Sequence, residues 1–448
     1  MNKSRSDFTL VKPFSIAVTA ILISQNALAV VWPNNNNPGF FLFPDETLET
    51  RLEMLPKVGN VVQNGGHTPF SDTYWPDNDI GVASRYRDSR GNVTPQKIRS
   101  DVVLQADEKG TRPTLDQLKK MSVDEINALS LAEKFDIANG DYDYPFTHRV
   151  IASQKGNAHY AYGICHGWSA AASNYSEPQK STFINKDGLL IPFGASDVKG
   201  LIAFYYAWEA SWLNEKKDEH NNNLHNWDYQ NQVSTHIVKN NPEMVYFDYR
   251  RMGERCSARP CEQTINPGAL HLSLANVVGR YGRSFEVEAN NAPDLWNYPI
   301  IGYASELKGG RSFKGPNGAV SKVEVKTDLY FTDETDPTHE TTNGTLTLAQ
   351  IAKKVDGFDR LGLTQAQAPG GVDSRHLVYS LFLDAGGNVV GGEWSGSSVL
   401  RGRDHRNQKI GFVWRASRVP FRAKYKILND IYKPLETGTN VYTTTENL

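Results

Sequence analysis

The run Gly163-Ile164-Cys165-His166-Gly167-Trp168-Ser169-Ala170-Ala171-Ala172 constrains this chain more than any other. It sets a cysteine just after a glycine, at the start of a series of small helix formers. A thiol at a helix N-terminus faces the positive end of the dipole and unpaired backbone N–H groups. Both favour the thiolate, which is the reactive form. A competing reading is a small residue buried in a packed helix. Cysteine usage and the chain's first residues weigh against it.

The chain opens Met1-Asn2-Lys3-Ser4-Arg5, with a further cation at Lys12, followed by the apolar stretch Phe14 to Ile23 and then Ala27-Leu28-Ala29. A basic start, a short apolar core and a small-x-small site are the marks of a secretory signal peptide, too short to span a membrane. Cleavage after Ala29 is expected, with a secreted or periplasmic product. There are 3 cysteines. Cys256 and Cys261 stand close together and, in an oxidising compartment, read as a small disulfide loop. Cys165 is then the odd thiol, and a free thiol outside the cytoplasm is a liability unless it is used.

A hydrophobic fraction of 39% with 9 Trp and 20 Tyr describes a globular chain. The formal net charge of −2 implies no basic face, so nucleic acid is not an expected partner. Residues 30–112 lack helical periodicity and read as a loop-rich N-terminal region. Within it, Trp75-Pro76-Asp77-Asn78-Asp79 reads as a solvated acidic turn. Its Asp77 and Asp79 are the right ligand type for calcium but lack the later ligands of a calcium loop.

Helices begin near Thr114. Ser122 with Glu125, and Ser130 with Glu133, form capping boxes, and Asn139-Gly140 stops the second helix. Val198 to Asn214 reads as a helix with Leu201, Phe204, Tyr205, Trp208 and Trp212 along one core-facing side. Asn266 to Asn276 fits either a helix capped by Asn266 with Pro267 in its first turn, or a strand. Gly282 to Glu288 alternates as a strand. Ser374 to Asp384 and Val389 to Trp394 read as the two arms of a hairpin across Ala385-Gly386-Gly387-Asn388.

A thiol enzyme needs an imidazole to hold the thiolate and a carboxylate or amide to orient that imidazole. Two pairs offer this at the same separation: His271 with Glu288, and His376 with Glu393. Each histidine also has an ordinary structural reading as a satisfied core or sheet residue.

Four segments, in order, resemble a known family. They are Gly163-Ile164-Cys165-His166-Gly167-Trp168, then Ala269 to Asn276, then Ser284 to Glu288 with Leu295-Trp296-Asn297-Tyr298-Pro299, then Gly391-Gly392-Glu393-Trp394. They are similar to the transglutaminase elicitor family of oomycetes and its bacterial relatives, over roughly residues 115–415. The Leu295 to Tyr303 stretch is similar to the surface peptide by which plants sense the oomycete members.

The resemblance implies an α+β fold with a papain-like or transglutaminase-like core; the chain is divided into this catalytic domain at residues 113–430 and a C-terminal tail at 431–448. It implies a protein-glutamine γ-glutamyltransferase with Cys165 as nucleophile, acting on proteins or peptides that bear glutamine and lysine. Calcium is implied by the family but required by no residue here. Glu288 stands where the family is expected to carry an aspartate, and Asn290 or Asn291 is an alternative orienting residue. His271 with Glu288 is the preferred pair, because the His271 motif is distinctive and adjoins the Trp-Asn-Tyr-Pro stretch. A secreted cysteine endopeptidase on the same scaffold, and a non-catalytic surface binding module, are the two alternative functions.

Overall fold

The computed structural model describes residues 37–43, 45–77, 80–85, 112–154, 163–209, 245–247, 265–289, 296–335, 346–395, 410–411, 413–416, 418 and 420–435. The expected signal peptide, the Cys256–Cys261 loop, Asp79, Asn290 and Asn291 lie outside the described residues.

Three short helices follow one another: α1 (Leu115–Leu118), α2 (Val123–Asn127) and α3 (Leu131–Asn139). Each opens on a capping box, Thr114 with Gln117, Ser122 with Glu125 and Ser130 with Glu133. In each box two backbone N–H groups that the helix leaves unpaired are satisfied reciprocally. Gly140 closes α3 in the left-handed conformation, at φ 74°. After α4 (Pro145–Gln154) comes α5 (Cys165–Asn174), the helix foreseen from its small residues. The hairpin β2 (Ser181–Ile184) with β3 (Leu190–Phe193) leads to α6 (Ala195–Phe204), which continues as a π-helical turn over Tyr205–Glu209. Helices α5 and α6 pack side by side.

Two buried ion pairs tie this helical layer together. Lys134 of α3 meets Asp197 of α6 at 2.5 Å, and Lys199 of α6 meets Glu177 at 2.6 Å, with all four side chains shut off from solvent.

The Asn266 segment resolves as a helix, α7 (Pro267–Ser273). Asn266 accepts from the Gly268 N–H, Pro267 fills the first turn, and a π-helical turn runs on through Leu274–Arg280. The remaining elements build an antiparallel sheet, eight-stranded among the described residues. Its path runs β4 (Val245–Phe247), β10 (Val413–Arg415), β5 (Glu286–Glu288), β6 (Asn297–Ser312), β7 (Ser321–Thr332), β8 (Val372–Leu383), β9 (Val389–Trp394), and β1 (Val58–Asn60) adds to β6. A short helix, α8 (Leu348–Lys354), covers an apolar cluster that includes Ile301, Tyr330, Ile351 and Phe358. The result is a mixed helix and sheet fold, as expected.

The loop-rich N-terminal region is woven into this core. β1 is a sheet strand, and Phe41, Phe70 and Trp75 are fully buried. The described part of the acidic segment, Trp75 to Asp77, departs from the solvated turn expected of it. Asp77 is only 4% exposed, and Trp75 takes φ 51° with its indole donating to Asp72 Oδ2 at 3.1 Å. Polar composition suggested solvent, but the chain just ahead of this segment is held to the start of α5, where the Ile164 N–H donates to the Tyr74 carbonyl. Among the described residues no helix is long and apolar enough to cross a membrane.

Candidate active site

Cys165 occupies the first position of α5. Two contacts fix the approach to it. The Ile164 N–H donates to the Tyr74 carbonyl at 2.7 Å, and a Cβ on Gly163 would lie 2.5 Å from that same oxygen, so only glycine allows the chain to pass. The α5 backbone turns at once into helix, with the Trp168 N–H reaching the Ile164 carbonyl at 2.9 Å. The N–H groups of the first turn are left without helical acceptors and point to the thiol's end of the helix. Trp168 is fully buried; its indole donates to the Phe70 carbonyl at 3.0 Å and its ring meets Tyr298 edge-on.

The thiol is 7% exposed and faces the first residue of β6. Asn297 Nδ2 donates to Cys165 Sγ at 3.6 Å, and Asn297 Oδ1 accepts from Trp414 Nε1 of β10 at 2.8 Å. Glu288 pairs directly with Asn297 in the β5–β6 register, and Trp414 pairs with Glu286. Residues directly opposite each other in an antiparallel pair share a face. Glu288 is therefore a fully buried carboxyl beside the amide that touches the sulfur.

The electrostatics of the site follow from burial. Burial pushes the Cys165 thiol up to about 11, against the pull of hydrogen bonds from Asn297 and the His166 N–H, while the Glu334 charge adds to the rise. Glu334 is itself pushed up to about 8 by burial and by Asp333 beside it. His166, next to the thiol, is pushed down to about 4 by burial, its ring tied to the Ala207 backbone.

His271 does not join this group. Its Nδ1 shares a hydrogen bond of 2.9 Å with the Tyr379 hydroxyl, which continues to Thr327 Oγ1 at 2.8 Å and on to Ser305 Oγ at 2.8 Å. Burial holds it down to about 4. Ser305 and Asn297 stand eight positions apart on β6, roughly 25 Å at about 3.3 Å per residue. Because His271 lies on a helix rather than on a strand beside β5, a sequence separation of 17 from Glu288 does not bring the two together.

The second pair also separates. Glu393 stands opposite Ser380, four residues along β8 from His376, and bonds Lys322. His376 is half-exposed and bonds Asp328 Oδ1 at 2.5 Å, across the β7–β8 register. The hairpin itself has the foreseen arms, but its register aligns them differently.

Asn297, Trp414 and Glu334 carry no assignment in the sequence reading. One signal for Asn297 was present: an amide between Trp296 and Tyr298, inside an apolar strand, must find partners when buried. The stretch from Asn297 to Tyr303 is buried along its length, whereas the elicitor-like peptide it resembles is a surface feature. Among the described residues no group of three or more His, Cys, Asp or Glu side chains is arranged to hold a metal ion.

The protein is a mixed helix and sheet fold in which a thiol at a helix N-terminus faces an interior strand of an antiparallel sheet. Residues 253–424 match the model of the family described as Transglutaminase elicitor. The span holds His271, Glu288, Asn297, Glu393 and Trp414, and Cys165 precedes it. The fold is similar to the crystal structure of the GP42 transglutaminase from Phytophthora sojae. That likeness covers 88% of this chain and 94% of that one, with a TM-score of 0.50 and 16% sequence identity, so it is a likeness of fold alone. No curated protein sequence matches the chain.

Proposed function

We propose that the chain is a secreted acyltransferase of the transglutaminase type, with Cys165 as its nucleophile. The observation that carries this is the placement of Cys165: a thiol at the first position of a buried helix, with the Asn297 amide turned toward its sulfur from a strand of the family-matched span. The thiolate attacks the side-chain carboxamide of a substrate glutamine and ammonia departs. The thioester then passes to a lysine amine, giving a crosslink, or to water, giving deamidation. In this reading backbone N–H groups at the start of α5 receive the oxyanion.

Glu288 fits a supporting role through its place beside Asn297. His271 is a structural residue in this reading, because its Nδ1 serves the Tyr379 hydroxyl. Of the 11 histidines, His159, His220, His225, His236, His339 and His405 lie outside the described residues, and a general acid and base is sought among them. The protein substrates, secretion and a papain-like core belong to the same proposal.

A second reading, a binding module without chemistry, is favoured by the burial that raises the thiol. Incubation with a glutamine-bearing protein and a primary amine separates the readings. Amine adducts are expected from the parent and not from Cys165→Ala. Cleavage without adducts would indicate a peptidase, and binding without chemistry a module. A chelator arm tests calcium dependence.

A further inference from the structure

We propose that Asn297 is a catalytic residue of this site: its side-chain amide holds the Cys165 sulfur and then the oxyanion formed there, with Trp414 as its positioning residue. The inference rests on the transferase reading above. An amide can present either end to a sulfur, and the two ends act oppositely on a thiolate. Here the end is fixed. The Trp414 indole is a donor only, so the atom that accepts from it is Asn297 Oδ1, at 2.8 Å. The other end, the NH₂ donor, is thereby turned to Sγ, at 3.6 Å. Trp414 is 1% exposed and Asn297 1% exposed, so water does not compete for either hydrogen bond. A buried amide held by a buried indole at a thiol is a preorganised donor, the feature that stabilises developing negative charge.

The step balances as follows. The Sγ–Cδ bond forms as the carbonyl π pair moves onto oxygen. The oxyanion collapses, the C–N bond breaks, and the proton lost by the thiol leaves with the nitrogen as ammonia. Asn297 donates at the two anionic stages, first to sulfur and then to oxygen, and exchanges no proton. Among the described residues the ionisable groups around the sulfur include Glu334 past the end of β7, Tyr298 on β6 and His166 on α5, with Glu288 on β5 opposite Asn297. Among these described groups none is a fixed cation, and Arg375 on β8 acts on Tyr298; the donors described at the sulfur are the amide and the helix N–H of His166.

The test uses the full chain and two readouts: the pH dependence of Cys165 alkylation by iodoacetamide, and kcat and KM for amine incorporation. Asn297→Asp keeps the shape and the acceptor for Trp414 and removes the donor. It is expected to move the alkylation curve to higher pH and to lower kcat by about 10²–10³-fold with little change in KM. Trp414→Phe, which frees the amide to turn, is expected to move both in the same direction by less. Asn297→Ala repeats the test should the aspartate variant fail to fold. An alkylation curve unmoved in folded Asn297→Asp and Asn297→Ala would overturn the proposal. Alkylation needs no substrate, so it judges Asn297 even if the parent transfers no amine, which would fault the functional reading instead.

Discussion

Gly167 sits two residues past the thiol, and adding one methyl group there tests how tightly α5 is seated. A Cβ on Gly167 would lie 2.1 Å from the Ala203 carbonyl oxygen, 2.7 Å from Ala207 Cβ and 2.9 Å from the Ala207 nitrogen. These atoms belong to α6 and its π-helical turn, and backbone atoms cannot rotate aside. Reaching an ordinary contact of 3.4 Å requires the helices to part by about 1.3 Å (3.4 − 2.1). Two effects oppose each other. Alanine gains about 1 kcal/mol over glycine in a helix interior. Overpacking costs about 1–3 kcal/mol, and a backbone contact this short belongs at the upper end. The net is a loss of about 2 kcal/mol, or about 30-fold in the ratio of folded to unfolded protein. Urea unfolding followed by tryptophan fluorescence measures it. Gly309→Ala is the control, since no atom lies within 4 Å of its added Cβ. A Gly167→Ala protein as stable as the parent would refute the packing argument and show that helix propensity decides at this crossing.

Asp197→Ala should cost about 3–5 kcal/mol, because it leaves the Lys134 charge buried without its partner; replacing both as Lys134→Met with Asp197→Leu should recover much of that, and equal losses in the two urea titrations would contradict the reading. The Glu286 contribution to stability should fall as pH rises from about 4.5 to 8, while buried His166 and His271, pushed down to about 4, contribute in the opposite sense below their ordinary 6.5. Burial pushes Glu286 up to about 8 from an ordinary 4.5, so the folded chain keeps a proton that the unfolded chain has released. Asp72, pushed up to about 7 by burial, and Glu334 act in the same sense, and Glu286→Gln should reduce the slope of unfolding midpoint against pH. An unchanged slope would remove Glu286 from the account. Tyr379→Phe should cost about 1–3 kcal/mol by stripping buried partners from His271 and Thr327. His271→Ala should destabilise the fold while leaving the pH dependence of Cys165 alkylation at the parent's position, and a shifted curve would return His271 to the thiol.

Local signals were legible where a few neighbouring residues decide the outcome. The capping boxes at Ser122 and Ser130, the left-handed stop at Gly140 and the hairpin around Gly387 each depend on chemistry within one turn. The helix at Cys165 was legible for the same reason. The site was not, because its members meet through strand register. Glu288 comes beside Asn297 only through strand pairing, and Trp414 joins from a strand more than a hundred residues further on. Equal separations of 17 residues suggested two histidine pairs, yet one histidine fell on a helix and the other on a strand whose partner is offset by four. A hydrophobic period predicts which face a residue takes, and it does not predict which residue stands across the sheet.

The central claim is that an acyl group from glutamine passes through the Cys165 sulfur. The direct measurement is mass spectrometry of the chain after acid quenching, during turnover of a glutamine-bearing peptide. The account predicts the peptide's acyl group on the fragment that contains Cys165, discharged when a primary amine is added before the quench, and absent from Cys165→Ala. Product formed while the Cys165 fragment stays unmodified throughout, or formed by Cys165→Ala at the parent's rate, would contradict it.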